Sequence, residues 1–144
     1  MIMSQQCFQE KIIKLISVNG LRKKIRIRPQ IPHAEIWHEL YHSALGVIPF
    51  QNNIMWQNNT PTKLFEMMAA GCRIVTSDLP PIRNFLSNTV HWTIPNDISS
   101  LASGIIEAQS SLKQMDWIEA NIDLIKKKYN WELKSADFLN VYNL

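Results

Sequence analysis

The chain has 144 residues, 46% of them hydrophobic and 19% charged, a balance that supports one globular core over residues 1–144 and argues against disorder. Its 15 Lys and Arg against 12 Asp and Glu leave a formal charge of +3, short of a nucleic-acid-binding domain, so nucleic acid is not an expected partner. Only Cys7 and Cys72 are present, which argues against a disulfide framework or a zinc site and fits a reducing cytoplasm; residues 1–6 lack the cationic and apolar regions expected of a signal peptide, and no apolar run approaches the length expected of a membrane span.

Phe8, Ile12, Leu15 and Ile16 recur at helical spacing and Asn19-Gly20 supplies a left-handed stop, predicting an opening amphipathic helix. Residues 24–28 alternate Ile25 and Ile27 with Arg26 and Arg28 before Pro29, predicting a strand near a sheet edge. Residues 33–44 place Trp37, Leu40, Tyr41 and Ala44 on one helical face, and residues 45–49 form a short apolar strand stopped by Pro49.

A polar loop over residues 51–59 leads to a helix over 61–70, a strand over 73–77 and the breaker Asp78-Leu79-Pro80-Pro81. A short helix near 82–86 precedes a strand over 90–94. Pro95-Asn96-Asp97 then introduces a helix bearing Leu101, Ile105, Ala108 and Leu112, and Ile118, Ile122, Ile125 and Tyr129 mark another. Strands separated by helices predict an α/β fold: a Rossmann-like parallel sheet with flanking helices.

The most informative stretch runs from Asn58 to Gly71. Thr60 suits an N-cap and Pro61 the first helical position. The unpaired N–H groups of Thr62 and Lys63 then point toward the C-terminal edge of the sheet, where such folds bind ligands, and the helix dipole and the Lys63 ammonium favour a diphosphate there. Glu66 lies one turn farther in on the face of Lys63, where a carboxylate can accept both ribose hydroxyls, while Leu64, Met67, Met68 and Gly71 project toward the sheet. The same spacing also suits an exposed ion pair worth about 0.2–0.5 kcal/mol.

Pro61-Thr62-Lys63-Leu64-Phe65-Glu66-Met67-Met68-Ala69-Ala70-Gly71, followed by Ser77-Asp78-Leu79-Pro80, resembles the signature of glycosyltransferase family 4. Gly46-Val47-Ile48-Pro49 is similar to that family's apolar strand, and residues 131–142 to its closing Trp-containing helix. The resemblance implies the C-terminal, donor-binding domain of a GT-B glycosyltransferase, acting in polysaccharide or related biosynthesis. It would bind a UDP-, GDP- or ADP-sugar for transfer to a carbohydrate or lipid-linked acceptor, with no cofactor or metal required.

By this resemblance Glu66 holds the ribose, the backbone around Asn59, Thr60, Thr62 and Lys63 holds the diphosphate or sugar, and residues 29–31, ending at Ile31, lie near the nucleobase. Asn58 stands where the family has an acidic residue that contacts the sugar, and an amide cannot stabilise developing positive charge, so no catalytic residue is assigned. Asn84 stands where many relatives have glutamate.

The resemblance also implies an absent acceptor domain and two absent strands, so the chain alone is expected to be inactive. In the strand order 3-2-1-4-5-6 the missing pair is central; residues 24–28 are therefore expected either to repack beside residues 45–49 or to await a separate N-terminal half. The competing expectations are a non-catalytic nucleotide-sugar-binding or interaction module and an epimerase fragment of the same fold.

Other candidates carry less. His33, His38 and His42 are spaced i, i+5 and i+9 and suit a polar face. Trp56 and Trp92 suit packing or stacking on a sugar or base. Arg22, Lys23, Lys24, Arg26 and Arg28 form a basic cluster that suits a solvated sheet edge, an anionic membrane face or nucleic acid. The expected location is cytoplasmic, with peripheral attachment to the membrane's inner face open.

Overall fold

Short apolar runs alternating with amphipathic stretches produce, in a computed structural model of the chain, three parallel strands joined through helices. The structure describes residues 5–86, 89–111 and 115–141. The chain divides into two compact units, Met1–His33 and Ala34–Leu144.

In the first unit α1 (Gln5–Val18) ends as predicted at Gly20, which adopts φ 67° while the Leu21 N–H donates to the Ile16 carbonyl at 2.9 Å. Residues 24–28 contain no strand, which overturns the expected edge strand and its repacking beside residues 45–49. The Leu21 carbonyl instead accepts the N–H groups of Lys24 and Ile25, both at 2.9 Å, closing a turn where a ladder would have started. Alternation of apolar and charged residues specifies a strand only where a neighbouring strand takes up its backbone groups.

The second unit carries the sheet. Its elements are α2 (His33–Tyr41), β1 (Leu45–Ile48), α3 (Thr62–Ala69), β2 (Arg73–Ser77), α4 (Pro80–Arg83), β3 (His91–Thr93), α5 (Ile98–Ser110), α6 (Asp116–Lys128) and α7 (Trp131–Val141). The order is β1-β2-β3, with Leu45 opposite Arg73 and Val75 opposite His91. Every residue of the central strand β2 is buried, as a strand covered on both faces must be. The predicted positions Leu112 and Tyr142 lie outside the described residues.

Alternate residues of β2 face opposite layers. Ile74 joins Leu64 and Met68 of α3 in the main core, whereas Val75 and Thr93 approach Gly104 of α5. Helices α3 and α5 therefore cover opposite faces. The turn from α3 into β2 requires Gly71, at φ 79°: its N–H donates to the Met68 carbonyl at 3.1 Å, and the next N–H, of Cys72, to the Met67 carbonyl at 2.9 Å. This double closure satisfies the helix's last carbonyls and is open to glycine at little cost. Gly71 does not project toward the sheet as expected; a side chain there would meet Ile118 and Ile122 of α6.

Candidate functional site

Because β1, β2 and β3 are parallel, the segment leaving β1 crosses the C-terminal rim of the sheet before α3 returns the chain to the start of β2. The first turn of α3 therefore stands at that rim. The helix begins one residue later than the sequence suggested: Pro61, not Thr60, is its N-cap, at φ −73° and ψ 131° and without a side-chain cap. Proline's ring fixes φ but leaves ψ extended, and the Pro61 carbonyl accepts the Leu64 N–H at 3.1 Å. Thr62 and Lys63 are then the first helical residues, exposed to solvent, with N–H groups that have no acceptor within the helix.

Leu64 and Met68 are fully buried and fix the rotation of α3. Glu66 lies on the opposite arc with Thr62 and Lys63 on either side of it, and is half-buried, not interior. Thr62, Lys63 and Glu66 thus share one side of one helix, held by a core face of full burial. Met67, at the edge of that face, lies against Gly46 of β1.

The loop before α3 is closed on itself. Phe50 and Trp56 stack with ring centroids 3.6 Å apart and planes 8° from parallel, and the Asn53 side-chain oxygen accepts the Trp56 N–H at 3.1 Å. Gln57 reaches Asn52 at 2.7 Å. Asn58 is exposed, and its side-chain N–H donates to the Ile54 carbonyl at 2.8 Å. Trp56 therefore packs within the loop, and Asn58 braces it. Asn59 is exposed and Thr60 half-buried beside the helix start. Ile31 is half-buried in the first unit.

Sequence reasoning missed a second feature of the same rim. A cleft of about 410 Å³ opens on the α5 side, lined among others by Ser77, Thr93, Asn96 and Asp97. Asn96 adopts φ 65°, and the Asp97 carboxylate caps α5 by accepting the Ser100 N–H at 3.0 Å. The Thr93 hydroxyl donates to the Thr76 carbonyl at 3.1 Å. Its volume is that of a small-molecule pocket. The signal in the sequence, Pro95-Asn96-Asp97, was legible only as a turn and a cap.

Other polar groups serve the fold. The Asp78 N–H donates to the Thr93 carbonyl at 2.8 Å, and its carboxylate accepts from Arg83, whose Nη2 lies 2.6 Å away. The Arg83 guanidinium in turn sits 4.4 Å from the Trp92 ring centroid, so Trp92 is a packing partner. Asn84 is the exposed C-cap of α4. Burial pushes the Cys72 thiol up, so it stays protonated. At the opposite, N-terminal edge of the sheet, Arg73 is 1% exposed and donates to the Ser111 carbonyl and to its hydroxyl, the latter at 2.8 Å.

The expected spacing of the histidines conceals one i,i+4 pair: the rings of His38 and His42 are 4.4 Å apart. His42 Nδ1 already lies 2.7 Å from the His38 carbonyl, and no group of three potential metal ligands occurs among the described residues. No described helix is long and apolar enough to cross a membrane.

Residues 5–124 match the family profile described as glycosyl transferases group 1. No curated protein sequence matches the chain. Among solved structures, sucrose-phosphate synthase from Thermosynechococcus elongatus is similar at a TM-score of 0.77 and 18% sequence identity, over 93% of this chain and 33% of that one. The chain thus spans about one third of the length of that relative, and the likeness carries the Rossmann-like fold of a GT-B domain.

Proposed function

Since the chain belongs to the glycosyl transferases of group 1, we propose that the α3 side of its sheet rim binds the nucleoside diphosphate of an activated sugar destined for a carbohydrate or lipid-linked acceptor. In this reading the N–H groups of Thr62 and Lys63 receive the diphosphate, supported by the helix dipole and the Lys63 ammonium. The Glu66 carboxylate accepts the ribose hydroxyls. Asn59 and Thr60 border the diphosphate or the sugar.

One observation carries the proposal: Leu64 and Met68 anchor α3 so that Thr62, Lys63 and Glu66 share one side of a helix that starts at the C-terminal rim of a parallel sheet. A diphosphate there lies at the positive end of the helix, and the pentose attached to it falls within a turn of the carboxylate.

Titration of the chain with nucleoside mono- and diphosphates tests the anion half of the reading. The diphosphate should bind about tenfold more tightly, and Lys63→Ala should remove most of that difference. Equal affinities for the two would refute it. A second reading, a binding module without catalytic activity, is favoured by Asn58: its amide stands in place of an acid and donates to the Ile54 carbonyl. Donor hydrolysis or sugar transfer by the purified chain would eliminate that reading.

A further inference from the structure

The cleft on the α5 side of the sheet rim takes in none of Thr62, Lys63 and Glu66. Its lining includes Ser77, the last residue of β2, which is 3% exposed and lies on the strand face of Val75, toward α5. Thr93 is equally buried, but its hydroxyl donates to the Thr76 carbonyl. The Ser77 hydroxyl has no hydrogen-bond partner among the described residues. A buried hydroxyl left unpaired is unfavourable, so this one calls for a partner from outside the fold.

The chain around that hydroxyl is already braced. The Ile94 N–H donates to the Ser100 hydroxyl at 2.8 Å, the Asp97 N–H to the Ile94 carbonyl at 3.2 Å, and the Ser100 N–H to the Asp97 carboxylate. These bonds fix residues 94–100 yet engage neither the Asn96 amide nor, across the cleft, that of Gln51. Ile94 and Ile98, 63% and 85% exposed, add uncovered aliphatic surface to the lining. A site with its walls set and its polar groups unspent is suited to binding.

Charge narrows the ligand. No described residue of the lining is cationic, Asp97 supplies a carboxylate, and that carboxylate already occupies the start of α5, so a phosphate gains nothing here. A hydroxyl, two amides and a carboxylate offer donors and acceptors to a neutral ligand rich in hydroxyls. We propose that this cleft binds an uncharged carbohydrate ring, the acceptor of the transfer proposed above, with Ser77, Asn96 and Gln51 on its hydroxyls and Ile94 and Ile98 against its C–H face. The carbohydrate site stands on the cleft itself; only the acceptor role rests on the proposed transfer.

The test is titration of the full chain with glucose, galactose and mannose, followed by amide NMR. At least one of them should shift Ser77, Asn96 and Ile98 in the millimolar range, as befits a ligand of about a dozen heavy atoms, with or without saturating UDP, GDP or ADP. Ser77→Ala should weaken binding about three- to tenfold, the worth of one hydrogen bond, and leave the urea midpoint unchanged. Asn96→Gly, which keeps the positive φ of 65°, should weaken it by a similar factor. No shift with any of the three, displacement of the sugar by a nucleotide, a response to the glycosyl phosphates alone, or unchanged affinity in both folded variants would each overturn the proposal. Nucleotide binding without sugar binding would refute the cleft alone; sugar binding without nucleotide binding would refute the diphosphate reading and, with it, the acceptor role.

Discussion

Replacing Gly46 with alanine tests how α3 is held against the sheet. A Cβ built on Gly46 would lie 2.6 Å from Met67 Sδ, 3.1 Å from its Cγ and 3.3 Å from Ile74 Cδ1, against a favourable carbon contact of about 3.5–4.0 Å. Met67 must therefore retreat by roughly 1 Å, and overpacking of this size costs about 1–3 kcal/mol. Alanine in a strand recovers about 0.5–1 kcal/mol of backbone entropy relative to glycine, leaving a net loss near ~1 kcal/mol, toward the low end because a thioether chain adapts. In a Met67→Ala background the worst contact is gone and only the Ile74 methyl remains tight. Gly46→Ala should then fall within about 0.5 kcal/mol of neutral, a coupling of about 0.5–1.5 kcal/mol. Urea unfolding of the four proteins of this cycle measures it. An equal cost of Gly46→Ala in both backgrounds would refute the packing of α3 on β1 described above.

Asp97→Ala should destabilise the chain by about 1 kcal/mol in the same unfolding assay, since it removes the acceptor for the Ser100 N–H at the start of α5; Asp97→Asn should restore most of the loss. His91, with a side chain 10% exposed, has its pKa held below the ordinary 6.5 by burial and then by the Arg73 charge, with Glu107 pulling the other way. The unfolded histidine binds more protons between the depressed native value and 6.5, so stability should rise with pH through that window and be lost as pH falls below about 6.5. His91→Gln should flatten this dependence of the urea midpoint, and an unaltered pH profile would contradict the assignment.

Much of the sheet was legible in the sequence because its signals are local. Residues 73–77 form β2 with the predicted bounds, and β1 ends one residue short of Pro49. The run into Asp78-Leu79-Pro80 and the Gly71 turn could each be recognised from neighbouring residues alone. Residues 24–28 could not, because a strand exists only beside another strand, and alternation says nothing about whether that neighbour is present. The shift of the α3 cap from Thr60 to Pro61 has a narrower cause: both residue types suit the first turn, and ψ at proline decides between them.

The candidate site divided in the same way. Lys63 and Glu66 share a helical face by spacing alone, and the burial of Leu64 and Met68 then sets which way that face turns. The cleft beside Ser77, Thr93 and Asn96 gathers groups from three separate stretches of chain, residues 49–51, Ser77 and residues 93–101, so no window of sequence contains it. Arg73 was read only as the start of a strand, and its burial depends on Ser111, which is 38 residues distant. The stacking of Trp56 on Phe50 likewise follows from the closure of the loop by Asn52 and Asn53.

The ribose contact of Glu66 is the claim on which the functional reading turns, and calorimetric titration of the chain with UDP, GDP and ADP, repeated on Glu66→Ala, tests it most directly. One of the three should bind the unaltered chain, and the variant should bind it about 10- to 100-fold more weakly, the worth of hydrogen bonds to a charged acceptor. Unchanged affinity in a folded Glu66→Ala protein would contradict the account.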